Sequence, residues 1–323
     1  MSVDDETTVS RPPTATRGAP LTAQRVIPLR HPRRWIATVV VLVVLAQVTH
    51  GLVTNPFYQW DRFAYWFFRP VIMQGLLITL QVAAWSAVLG LVGGILLALG
   101  RLSKSPVVQA VSWGYIWLFR SVPLIVVLLF LYNFSALYRT LGVGVPFGPT
   151  FVEFGVTALA TDMVIAVIGL SLNEAAYAAE VVRAGILSVD QGQHEAAAAL
   201  GIPRSYQFRR IVLPQALRTI VPSYVNQLIG LVKSSSLVFY VSLLDLFGSV
   251  QSLGSTYSGD IVPLLLVATV WYVILTSVIS VVQFYVERHH SRGALRTLPP
   301  TPLQRLRNGV SGARARFAAG GFR

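Results

Sequence analysis

The stretch Val189–Pro214, VDQGQHEAAAALGIPRSYQFRRIVLP, decides how the rest of the chain is read. It is polar and alanine-rich, yet it lies between two long apolar segments. Glu195, Ala196 and Ala197 favour a short helix, and Gly201 is a natural stop because glycine takes the left-handed C′ conformation without steric cost. Pro203 and Ser205 then let the chain turn into a second short helix that runs to Pro214. A helix–glycine–helix elbow of this kind presents a ridge of small side chains suited to a groove on another protein. The alternative is a generic connecting loop.

The flanking segments place that elbow on a membrane protein. Of 323 residues, 54% are hydrophobic and 12% charged, and the mean hydropathy is +0.61. Six stretches are long enough to cross a hydrocarbon core of about 30 Å: 35–53, 71–100, 107–134, 163–187, 216–243 and 261–286. Short strands of alternating polarity are absent, which argues against a barrel. The fold class expected is therefore an all-α polytopic membrane protein of about six transmembrane helices. Cysteine is absent, which excludes disulfides, thiolate metal sites and cysteine nucleophiles.

A net charge of +13 raises the question of nucleic acid, but its distribution answers to topology. With both termini inside, all but five of the 26 basic residues fall in inward segments, from Arg11 to Arg34, at Arg101 and Lys104, from Arg183 to Arg218 and from Arg288 to Arg323. Arg62, Arg69 and Arg139 lie in outward loops, and Arg120 and Lys233 within spans. This positive-inside pattern puts the termini and the elbow in the cytoplasm. Residues 1–34 and 291–323 read as basic cytoplasmic tails, the first of them disordered for lack of apolar periodicity. Residues 57–70, FYQWDRFAYWFFRP, read as an aromatic helix in the outer interface, and 35–53 as a transmembrane helix added before the core at 71–290. Gly90 and Gly94 form a GxxxG that allows close helix approach, either within the chain or between copies.

Several motifs together resemble the polar amino-acid (histidine/glutamine/opine-type) branch of the ATP-binding-cassette importer permeases. They are Gly75-Leu-Leu-Ile-Thr79-Leu80, Phe119-Arg120-Ser121-Val122-Pro123-Leu124, Ala176-Tyr177-x-x-Glu180-x-x-Arg183, Pro214-Gln215-Ala216-Leu217-Arg218 and Lys233-Ser234-Ser235-Ser236-Leu237. The segment 188–214 resembles the EAA loop of that family. The resemblance covers about seven tenths of the chain. Three departures stand out: His194 where a bulky residue is usual, Val122 in place of threonine, and the added span 35–53 before a five-helix core.

The resemblance implies a permease subunit of an ATP-driven, binding-protein-dependent importer of polar amino acids in a bacterial inner membrane. It assigns Gly192, Glu195, Ala196, Ala197, Gly201, Leu213 and Pro214 to contact with the ATPase. The implied partners are a cytoplasmic ATPase dimer, a second permease (copy or homologue), an extracytoplasmic solute-binding protein and membrane lipid, with no nucleic acid. The cargo can also be an opine or a sulfur-containing amino acid. A different class, an ATP-independent channel or ion-coupled carrier, uses the same polar residues.

The chain itself carries no catalytic signature. G-x-x-x-x-G-K-[ST] is missing because neither Lys104 nor Lys233 follows glycine, so no cofactor is expected here and ATP and Mg belong on a separate ATPase. His194-Glu195 is not H-E-x-x-H, because residue 198 is alanine. Ionisable and polar groups within spans are the remaining clues, since each charge costs about 2.5–3.5 kcal/mol at a helix centre and must pair or line a polar path. Arg120, beside helix-breaking Pro123, suits either a clamp for an α-carboxylate or a pair with Asp162 or Glu174. Asn173, Glu174 and Tyr177 lie within about one turn and can face the path. Glu180 and Arg183 suit a local ion pair. Lys233 and its serines mark either an unwound patch on the path or side chains bonded to backbone carbonyls.

Overall fold

In hydrocarbon every backbone polar group must bond within the protein, so a chain this apolar resolves into helices. The computed structural model describes residues 32–145, 148–155 and 161–290. The N-terminal tail lies outside them up to residue 31, and the C-terminal tail lies wholly outside. Two units are distinguished, divided after Pro56. The first holds α1 (Pro32–Thr54), which begins three residues earlier than the expected tail boundary and keeps its valines, Leu42 and Leu45 exposed.

The second unit carries α2 (Trp60–Phe67), α3 (Pro70–Arg101), α4 (Pro106–Ser121), α5 (Leu124–Tyr132), α6 (Asp162–Leu187), α7 (Gln191–Ala199), α8 (Leu213–Ser234), α9 (Leu246–Thr256) and α10 (Ile261–His290). Pro70 and Pro106 each sit in a first helical turn, where a missing N–H breaks no bond. Among the described residues, four helices are long and apolar enough to cross a membrane, and up to six spans result if two bent pairs each count as one.

Those bent pairs correct two expected spans. The stretch 107–134 is broken between Ser121 and Leu124, with α4 and α5 inclined at 100°. Pro123 causes the break: it donates no N–H and its ring disfavours a helical Val122, whose ψ is 130°. The stretch 216–243 is helical only to Ser234, then tightens into a 3-10 segment, Ser235–Val241, and turns through a left-handed Ser242 (φ 65°) before α9. A third difference is a short antiparallel hairpin, β1 (Thr140–Gly144) with β2 (Thr150–Gly155), in the connection between α5 and α6.

The most extensive packing in the molecule joins α3 to α6. A Cβ on Gly94 would stand 2.5 Å from Ala178 Cβ and 2.9 Å from Ala179 N, and one on Gly90 would meet Glu174 Cβ at 2.7 Å. The glycine pair is therefore occupied by a contact within the chain. Val82, Leu128, Leu170 and Val238 form one buried cluster around this seam, and Ala98, Ile116, Val182 and Ile220 a second.

The third cluster, with Ile72, Leu246 and Leu264, joins α3, α9 and α10 and includes Trp66 of α2. The aromatic helix is shorter than the expected 57–70, and it is fastened as well as amphipathic. Trp66 Nε1 donates to buried Asp260 at 2.9 Å, Arg62 pairs with the same carboxylate at 3.4 Å, and Trp271 Nε1 donates to Phe67 O.

Candidate functional site

The break at Pro123 creates the site. In an unbroken helix the Phe119 carbonyl would accept from the N–H of residue 123, which proline lacks. Asn173 Nδ2 donates to that carbonyl at 3.0 Å, tying α6 to the last turn of α4. Tyr115 reaches across the same seam, its hydroxyl 2.9 Å from Leu172 O. Between the broken pair, α6 and α8 lies a cavity of about 410 Å3, lined by Arg120, Asn173, Glu174 and Tyr177 among others.

Its charged groups are not paired with each other. Glu174 is 4% exposed and accepts from Gln227 Nε2 of α8 at 3.0 Å. The Arg120 guanidinium lies 5.4 Å over the Tyr177 ring. Among the described residues the ion pairs are Arg62–Asp260 and Glu180–Arg183, so Arg120 meets neither Asp162 nor Glu174. The Glu180–Arg183 pair, at 2.7 Å, is the local bond that its spacing suggested.

Four of the five expected path residues thus come together. Lys233 does not: it is exposed and outside the lining, while its neighbour Ser234 is on it. The two serines after Ser234 bond to backbone carbonyls, Ser235 Oγ donating to Val232 O and Ser236 Oγ to Lys233 O. Gln227 is the lining residue that sequence reasoning left without a role. An amide in the middle of an apolar span was the available signal.

The elbow is built as its composition suggested. Asp190 caps α7 by accepting from Gly192 N at 2.7 Å. Gly201 (φ +66°) ends it, with Ile202 N bonded to Ala197 O and Gly201 N to Ala198 O, a Schellman cap. Glu195, Ala196 and Leu200 are exposed, whereas Ala197 is buried. His194, the departure noted above, contacts the second arm: Gln207 Nε2 lies 3.1 Å from His194 Nδ1.

That second arm differs from expectation, because it does not stop at Pro214. Arg204–Gln207 runs through a π-helical turn, Phe208–Val212, directly into Leu213 and α8. The wider turn admits Pro214 without a helix break, and Gln215 Nε2 caps the Ile211 carbonyl at 2.9 Å.

Residues 90–292, which include the elbow, the cavity on α6 and α8 and the break at Pro123, match the family described as binding-protein-dependent transport system inner membrane component. The chain belongs to that family. It is 41% identical to the arginine transport system permease protein ArgU of Corynebacterium glutamicum, over 86% of this chain and 87% of that one. It is 36% identical to the nopaline transport system permease protein NocM of Agrobacterium fabrum, over 65% and 84%. A solved amino acid ABC transporter with histidines superposes with a TM-score of 0.59 at 29% identity, covering 68% of this chain and 94% of that chain. The inward-facing MetNI methionine transporter, at 22% identity and a TM-score of 0.50 over 70% and 97%, shares the fold. The chain is a multi-pass inner-membrane permease subunit and not an enzyme; in these systems ATP hydrolysis sits on a separate chain.

Proposed function

We propose that this permease carries polar amino acids through the cavity at the α4–α5 break, with cationic ones favoured. The observation that carries the reading is the separation of Arg120 from Glu174. A guanidinium without a carboxylate partner suits an α-carboxylate, while a buried carboxylate held by a neutral amide suits a guanidinium or ammonium group. Asn173 and Tyr177 complete the polar lining. The likeness to an arginine permease supports the same cargo, and the nopaline relative keeps an opine as the second candidate.

Two such subunits form the pathway, a solute-binding protein delivers the cargo from outside, and a cytoplasmic ATPase pair holding ATP and Mg engages Glu195, Ala196 and Gly201, whereas Ala197, expected at that contact, is buried behind them. Because α7 leads through the π turn into α8, displacement of the elbow is transmitted to the helix that carries Gln227. The termini and elbow lie in the cytoplasm, as the distribution of arginine implies.

The test is uptake of labelled arginine by vesicles containing the purified complex, with ATP inside. Glu195→Lys is expected to abolish uptake while the permease stays in the membrane. Undiminished uptake in that variant, or transport by the permease without any ATPase, overturns the assignment.

A further inference from the structure

Where the π turn Phe208–Val212 enters α8, a second cavity of about 420 Å3 opens between α3, α6 and α8. Leu99, Ile186, Phe208, Leu213, Leu217 and Val221 make its walls apolar. Tyr224 brings a hydroxyl to its edge, and that group is already engaged with Ala87 O at 2.6 Å. Three arginines adjoin these walls in sequence: Arg209 and Arg210 follow Phe208, and Arg218 follows Leu217. Arg209, Arg210 and Arg218 are all exposed, and none belongs to an ion pair among the described residues.

We infer that the cavity and these arginines form a single site for an anionic phospholipid. One acyl chain fills the apolar hollow, and the headgroup phosphate lies against Arg209, Arg210 and Arg218. Charge complementarity selects this occupant. A neutral lipid leaves three guanidinium groups without a counterion, and a soluble anion leaves the hollow unfilled. A second copy of the chain, with 13 acidic residues against 26 basic ones, has few carboxylates to offer. Acyl chains are what a bilayer supplies to an apolar surface, and arginines at the membrane boundary draw acidic headgroups. The site lies on the segment that joins the elbow to α8, so its occupant steadies that joint. The inference goes beyond the transport reading and does not depend on the solute carried.

The experiment uses the purified complex in nanodiscs of phosphatidylcholine alone or with phosphatidylglycerol added, and counts lipids retained per permease by native mass spectrometry. Phosphatidylglycerol is expected to be retained selectively. Each of Arg209→Gln, Arg210→Gln and Arg218→Gln should weaken retention about fivefold, and all three together about a hundredfold. Leu217→Trp, which fills the hollow and leaves the arginines intact, should lower it as well, whereas Arg139→Gln should not. Equal retention of the two lipids, or undiminished retention in the triple variant, overturns the proposal. So does cross-linking of Leu217→Cys, in a chain that otherwise lacks cysteine, to a second permease or to the ATPase, because protein then occupies the hollow.

Discussion

Gln227 Nε2 donates to Glu174 Oε1 at 3.0 Å, so the buried carboxylate of the cavity is held by an amide from α8 and not by Arg120. In the transport reading proposed above, this separation leaves Arg120 and Glu174 to meet the opposite groups of a solute.

Replacing that carboxylate should change selectivity more than capacity. Glu174→Gln preserves shape and hydrogen-bonding reach but removes the charge. A hydrogen bond to a charged group is worth about 1.5–3 kcal/mol, so the KM for a cationic amino acid should rise roughly 10- to 100-fold. The KM for a neutral one should change little. Comparing the two uptake curves decides it, and an equal loss for both makes Glu174 a structural residue.

The α3–α6 seam predicts an asymmetric response to small substitutions. Gly94→Leu drives a side chain into Ala178 and the Ala179 backbone and should cost about 1–3 kcal/mol, seen as a lower melting temperature in detergent. Gly114→Ala, on α4 with nothing within 4 Å, should leave the melting temperature unchanged or raise it. Matching shifts for the two variants contradict the close approach.

At the elbow the constraint is backbone conformation alone. Nothing lies within 4 Å of a Cβ placed on Gly201, yet its φ is +66°. Gly201→Ala should cost about 1–2 kcal/mol locally and lower the ratio of solute moved to ATP hydrolysed. Gly201→Asn, which tolerates the left-handed region better, should retain more of that ratio. Both should be found in the membrane at normal levels.

Asp245 is the buried fastening between α3, α9 and α10. Fully enclosed, it accepts from Gly248 N at 2.8 Å, from Thr79 Oγ1 at 3.2 Å and from Tyr272 OH at 3.3 Å. Asp245→Ala strands the Gly248 N–H and the Tyr272 hydroxyl at about 1–3 kcal/mol each, while Thr79 keeps Gly75 O at 3.1 Å. It should lower the melting temperature far more than Asp245→Asn, whose amide oxygen keeps some of the bonds. Indistinguishable melting of the two variants would show that the bonds contribute little.

Much of this architecture was legible because bilayer thickness dictates apolar length and because Gly201 and Pro123 each force one backbone outcome. Even so, the composition of 107–134 does not disclose the break, since an apolar run carries no mark of the 100° angle that a proline permits. The 3-10 segment after Ser234 was hidden for a related reason: serine bonds to its own backbone in several conformations. The hairpin at 140–155 has no mark in the sequence because TLGVG and TFVEFG lack alternating polarity. In the cavity, Arg120, Asn173, Glu174 and Tyr177 announced themselves by cost, as polar groups among apolar neighbours. Gln227 and Asp245 meet the same criterion, and the structure gives each a buried partner. Lys233 met it and points elsewhere, because cost identifies a polar group but not the face on which a long side chain leaves its helix.

The contact of Gly90 and Gly94 with α6 bears on how the protein can diversify. The glycine pair is closed from within the subunit, so in the paired arrangement proposed above a second permease is recognised through residues other than Gly90 and Gly94. A change of companion then leaves the α3–α6 seam, and the wall of the cavity that Glu174 supplies, as they are.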